Sequence, residues 1–171
     1  MGSWGAIIMG FFGAVFAIAT LNWQWHISGW LLALPVAVAL AIWLAAACVI
    51  RLPGEGLSLS PEAARAIRWS SIGEGIAIPI AMIVIANTGH PELALPAIAL
   101  IVGPHFLPIA RAARFTPYYL LGGLLLVAAA IGFILHAPLG GQVTGIMAAA
   151  CLWFASALAV VRDWRVKTRR G

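Results

Sequence analysis

Charge is what this chain lacks. Its first fifty residues contain no Asp, Glu, Lys or Arg, and only 9% of its 171 residues are charged, against 63% hydrophobic. A soluble domain carries roughly 25% charged residues, and an aqueous fold of this composition has too few polar side chains to cover its surface. Soluble enzymes and soluble binding modules are thereby excluded. Cysteine is scarce too. Cys48 and Cys151 both lie in apolar runs, with no paired spacing for a disulfide framework or a zinc site, and both read as small buried apolar residues. No lysine falls within an apolar run, which excludes a retinal Schiff base. There is no phosphate-binding loop, dinucleotide fingerprint or H-E-x-x-H, and no serine in a nucleophile elbow; no cofactor is expected. The amino terminus has no basic region, and its apolar stretch over 4–21 exceeds the roughly 7–15 residues of a signal-peptide core. Ala6 stands where a myristoylation signal has Ser or Thr. The segment reads as a membrane helix.

What charge there is falls in a pattern. All ten basic residues lie in three clusters: Arg51, Arg65 and Arg68; Arg111 and Arg114; and Arg162, Arg165, Lys167, Arg169 and Arg170. The net charge of +5 does not point to nucleic acid, because these residues flank apolar spans and form no continuous basic face. They fit topology and contact with anionic head groups, so the partner is the lipid bilayer. Six spans of near ~20 residues can be drawn, at about 3–21, 28–50, 70–87, 92–110, 117–136 and 143–161. The segment 52–60 holds the breakers Pro53, Gly54 and Gly56. Ser60, Pro61 and Glu62 make a helix start, with a capping hydroxyl, a first-turn proline and an acid at the positive dipole end. Every basic cluster then falls on one side, which predicts cytoplasmic termini. Trp23, Trp25, Trp69, Trp164, Tyr118 and Tyr119 fall at the span ends, as aromatic belts do. The expected fold is all-α: a single polytopic bundle of six transmembrane helices in three hairpins, multi-pass in the cell inner membrane.

Two patterns concern packing. Leu32-Ala33-Leu34-Pro35 recurs as Leu93-Ala94-Leu95-Pro96. It marks either duplicated hairpins of the kind transporters use or the dominance of Leu and Ala in this chain. Gly141, Gly145 and Ala149 follow small-xxx-small spacing, which predicts close helix packing, against this chain or against a second copy in a homo-oligomer.

Glu74 is the one carboxylate well inside a span. A charge at the membrane centre costs at least ~2.5–3.5 kcal/mol, so such a residue usually faces the bundle interior or water. It lies six residues after Arg68, and His105 lies six residues before Arg111 on the antiparallel neighbour; both sit ~9 Å inward of their arginines. A Glu–His pair at one depth would let each neutralise the other and would respond to pH near neutrality. Ser156, six residues before Arg162, offers a hydroxyl in the same layer. Pro79, Pro104 and Pro108 release the carbonyls of Gly75, Leu100 and Pro104, and Gly73 and Gly75 permit close helix approach. The alternatives are a structural hydrogen bond between spans 3 and 4, or Glu74 reaching out to the interface. On the outer turns, His26, Asn87, His90, Glu92 and His136 collect. Three histidines and a carboxylate are metal-ligand types, but no pair has i, i+3 or i+4 spacing, and no metal is expected.

The run Gly103-Pro104-His105-Phe106-Leu107-Pro108-Ile109-Ala110 resembles a Gly-x-His-Phe-x-Pro-Leu-Ala pattern found in small bacterial multi-spanning membrane proteins of unknown function. In those, a glutamate stands early in the preceding span and a tyrosine–glycine pair follows. Glu74, and Tyr119 with Gly122, occupy the matching positions, and Ile109 stands where the pattern has leucine. The resemblance covers about 70–123 and singles out residues without implying a reaction. The leading expectation is a transporter-like or ligand-binding protein, its small-molecule or ion ligand unknown, with Glu74 protonatable, His105 tuning it, and Ser156 and Arg111 adding polar contacts. The rivals are an integral-membrane enzyme acting on a lipid at the cytoplasmic interface, with Arg111 and Arg114 holding a phosphate, and a subunit that packs against a larger complex.

Overall fold

The computed structural model describes residues 2–54, 60–135 and 137–170. The expectations for 55–59 within the 52–60 loop and for His136 fall outside the described residues. The structure is 91% helical, and no strand occurs among the described residues. Six helices are long and apolar enough to cross a membrane: α1 Gly2–Ala19, α2 Ala33–Arg51, α3 Pro61–Thr88, α4 Ala94–Ala113, α5 Thr116–Ile134 and α6 Leu139–Arg170. The chain is an integral, multi-pass membrane protein. In lipid every backbone N–H and C=O needs an internal partner, which is why apolar segments of this length form helices whatever their local propensity.

Helix ends follow local chemistry. Ser60 Oγ accepts from Ala63 N at 3.2 Å, with Pro61 in the first turn. Gly89 ends α3 at φ +73°, a left-handed position that glycine takes without steric cost. α1 runs into a π turn over Thr20–Gln24, and α2 and α4 are each entered through a 3₁₀ turn, Gly29–Leu32 and Pro91–Leu93. Both copies of Leu-Ala-Leu-Pro sit at that 3₁₀-to-α junction, so the repeat marks one local device used twice. The helices it opens differ in setting, since α2 lies at the periphery and α4 in the centre.

α6 packs against α1, α5, α4 and α2, and α4 packs against α5. Leu95, Leu121, Leu125, Leu152 and Phe16 fill the resulting core. The α1 backbone serves as an acceptor rail. The carbonyls of Ala6, Ile7 and Gly10 accept from Ser156 Oγ at 2.6 Å, Trp43 Nε1 at 2.8 Å and Trp153 Nε1 at 3.2 Å. Gly141 lies against Gln24, and Gly145 against Thr20 and Leu95. The small-residue stripe of α6 is thus occupied from within the chain. Gly73 and Gly75 have open space around them, so the close approach expected there does not occur.

α3 is the exception to this packing. Among the described residues, its only substantial interface with another membrane-spanning helix is with α4, and of its 28 residues just Ala63 and Ile85 are buried. It faces α1 without a packed seam. All three basic clusters gather at one end of the bundle. There Asp163 of α6 meets Ser3 of α1, Lys167 meets the last turn of α2, and Arg162 donates to the Ala113 carbonyl that ends α4. Two aromatic and cysteine expectations are corrected. Tyr118 is 3% exposed, because its ring packs against Phe106 and Phe115, whereas the other five belt residues are at least partly outward. Cys48 is exposed and Cys151 half-buried, since α2 has only one well-packed face.

Candidate functional site

The antiparallel α3–α4 contact brings Glu74 and His105 together. Glu74 Oε2 lies 3.3 Å from His105 Nδ1, with the two side chains 12% and 11% exposed. Ser70, one turn before Glu74 on the same face, completes a triad. Its Oγ is 2.9 Å from His105 Nδ1 and 3.1 Å from the His105 carbonyl oxygen. A serine hydroxyl has one hydrogen. Given to the carbonyl, it leaves Oγ to accept from Nδ1–H, and the same N–H faces the Glu74 carboxylate. With Glu74 ionised, this bonding favours the hydrogen on Nδ1; Nε2 has no hydrogen-bond partner among the described residues.

Both residues line a cavity of about 370 Å³ between α1, α3 and α4, in the basic half of the bundle. Its walls are apolar and partly aromatic: Ile8, Met9 and Phe12 from α1, Ile78 from α3, and Phe106 from α4. Ser71 and Tyr118 add hydroxyls. The Glu74 side chain is thus mostly shielded, against His105 and beside open volume. It borders a void that His105, Ser71 and Tyr118 also line. Such a volume can hold a small molecule with an apolar body and one polar or charged group.

Two sequence candidates lie elsewhere. Ser156 shares the depth of the pair but is fully buried on the α1–α6 seam, where it donates to the Ala6 carbonyl; depth alone did not fix the rotation of α6. Arg111 is exposed at the end of α4 and does not line the cavity. Ser70 was missed, although its i, i+4 spacing to Glu74 was a readable signal. Asp163 and Lys167 were also missed. Both are buried, because α6 continues past its apolar span as helix and turns these side chains inward.

At the opposite end, His90 Nδ1 lies 2.9 Å from Glu92 Oε1. Among the described residues no three His, Cys, Asp or Glu side chains converge, so His26 is not brought to that pair; Asn87 donates to the Ile83 carbonyl of its own helix. A second cavity of about 400 Å³ lies at this end between Trp23, Gln24, Met82, Ile85 and Glu92. It borders α3 and the π turn that follows α1. Set beside family models, curated proteins and solved structures, the chain matches none of them.

Proposed function

We propose that this chain is a transporter-like, ligand-binding protein of the inner membrane, with its basic end in the cytoplasm, and that the Glu74–His105 pair is its protonatable site. One observation carries the reading: a carboxylate 3.3 Å from an imidazole, both on the wall of a 370 Å³ cavity. A carboxylate kept only for structure is expected to have its oxygens fully enclosed by donors. Here both side chains line open volume. A subunit that merely packs against a partner would have a dry, filled interior at this level.

A lipid-modifying enzyme is the second reading. It draws support from the unsealed face between α1 and α3, through which a lipid could enter sideways. Against it, Arg111 is outside the cavity, so no cation is ready to hold a phosphate beside the pair.

The test uses vesicles that enclose a pH indicator, challenged with small amphipathic cations, anions and neutral solutes in turn. Native protein is expected to give a solute-driven pH change with at least one class, and Glu74→Gln, inserted to the same level, is expected to give none. Equal responses of both proteins to every class refute the reading.

A further inference from the structure

The charge inventory of the cavity wall selects a ligand class. Among the described residues no lysine or arginine lines it. The titratable groups facing the volume are Glu74 from α3, His105 from α4 and Tyr118 from α5; α1 and α6 contribute only apolar residues, Leu152 being the α6 contact. Arg162 is engaged with the Ala113 carbonyl and the Phe115 ring, and Asp163 with Ser3. Arg65, Arg68, Arg111 and Arg114 are exposed at the basic end, where water and salt screen them. Among the described residues, the one cation the wall itself can form is protonated His105, and the pair holding a single proton is neutral whichever member carries it.

The two signs of ligand therefore meet different costs. An anion would need both Glu74 and His105 protonated. A cation needs only Glu74 ionised and His105 neutral. The apolar wall makes this difference larger than it is in water.

We propose that the cavity binds an apolar organic cation, a quaternary or protonated amine or a close analogue, and that binding releases one proton from the Glu74–His105 pair. The inference rests on the pair being the titratable site. The balance is simple: the pair holding one proton plus a cation gives ionised Glu74 beside the cation, neutral His105, and a proton delivered to water. No other bond changes. The apolar body of the ligand takes the Phe12 and Met9 side of the volume, and its charge takes the place next to Glu74 that protonated His105 otherwise fills. Entry follows the unsealed face between α1 and α3, so the exposed arginines do not bar the route.

The test compares tetraphenylphosphonium with tetraphenylborate, which match in shape and oppose in charge. Both are titrated calorimetrically into the full-length protein in lipid nanodiscs, in buffers of differing ionisation enthalpy, with empty nanodiscs as the blank. The expected result is saturable binding of the cation, release of about one proton per cation, and affinity rising about tenfold per pH unit while the pair holds its proton. Glu74→Gln is expected to weaken cation binding by more than about tenfold, the loss of one charge-assisted contact. The proton count comes from native protein alone and does not depend on any variant folding.

Binding of tetraphenylborate that strengthens as pH falls and is lost in Glu74→Gln overturns the ligand class but leaves the site standing. Cation binding without proton release overturns the exchange. Binding of neither ion overturns the ligand class. Cation binding unchanged in Glu74→Gln overturns both this inference and the functional reading beneath it.

Discussion

Gly145→Ala is the sharpest test of how the bundle is packed. A Cβ at position 145 would run into Thr20 Oγ1, with Thr20 Cβ 3.0 Å and Leu95 Cδ1 3.1 Å away. Thr20 is nearly fully buried, and its hydroxyl is committed to the Phe16 carbonyl at 2.7 Å. It cannot swing aside without losing that bond, worth about 1 kcal/mol. Overpacking a tight core by one methyl costs about 1–3 kcal/mol, against about 1 kcal/mol regained because alanine is the better helix former. The expected net loss is about 1–2 kcal/mol, counting some relief from a small shift of α1. Gly123→Ala is the matched control, because nothing lies within 4 Å of a Cβ there, and it should gain up to about 1 kcal/mol. Thermal unfolding in one detergent should separate the two by several degrees, at about 2–4 °C per kcal/mol for a chain of this size. Gly145→Ala melting at or above Gly123→Ala would show that α1, α4 and α6 do not meet this closely.

Other perturbations test other parts of the structure. Lys167→Met keeps the stem but removes an ammonium that donates to Val49, Ile50 and Leu52 carbonyls at 3.0, 2.9 and 3.2 Å; partial rehydration of that helix end limits the loss to about 2–3 kcal/mol, read as a lower melting temperature. Asp163→Ala strips the acceptor from Ser3 N at 3.1 Å and Ser3 Oγ at 2.7 Å, and is expected to cost about 2 kcal/mol. Ser156→Ala should cost about 1 kcal/mol of stability while leaving tetraphenylphosphonium affinity unchanged; an affinity loss would return Ser156 to the site.

Six apolar spans were legible because hydropathy is local and a bilayer demands length. The start of α3 at Ser60 and Pro61 was legible because a cap is written in three or four consecutive residues. The ends were harder. α6 was expected over 143–161 but runs Leu139–Arg170, since hydropathy marks where lipid stops and not where the hydrogen-bond ladder stops. The level of Glu74 and His105 followed from counting rise per residue along two antiparallel rods. Their facing did not, because rotation is set by how α3 lies on α4, which counting along each helix does not specify. Ser156 shows the same gap from the other side: correct in depth, turned toward α1. Tyr118 looked interfacial by position, but its ring is drawn inward by Phe106 and Phe115.

The contacts of Asp163 and Lys167 bear on the order in which the molecule is completed. Ser3 is joined to a residue 160 positions later, and the Val49 carbonyl to one 118 positions later. While the ribosome is still working, the beginning of the first rod and the finish of the second have no such ties. Only when the final stretch of α6 emerges do both receive their counterparts. A nascent chain stopped at 161 would have every membrane crossing and neither fastening, so Asp163 and Lys167 close a structure that α1 and α2 began.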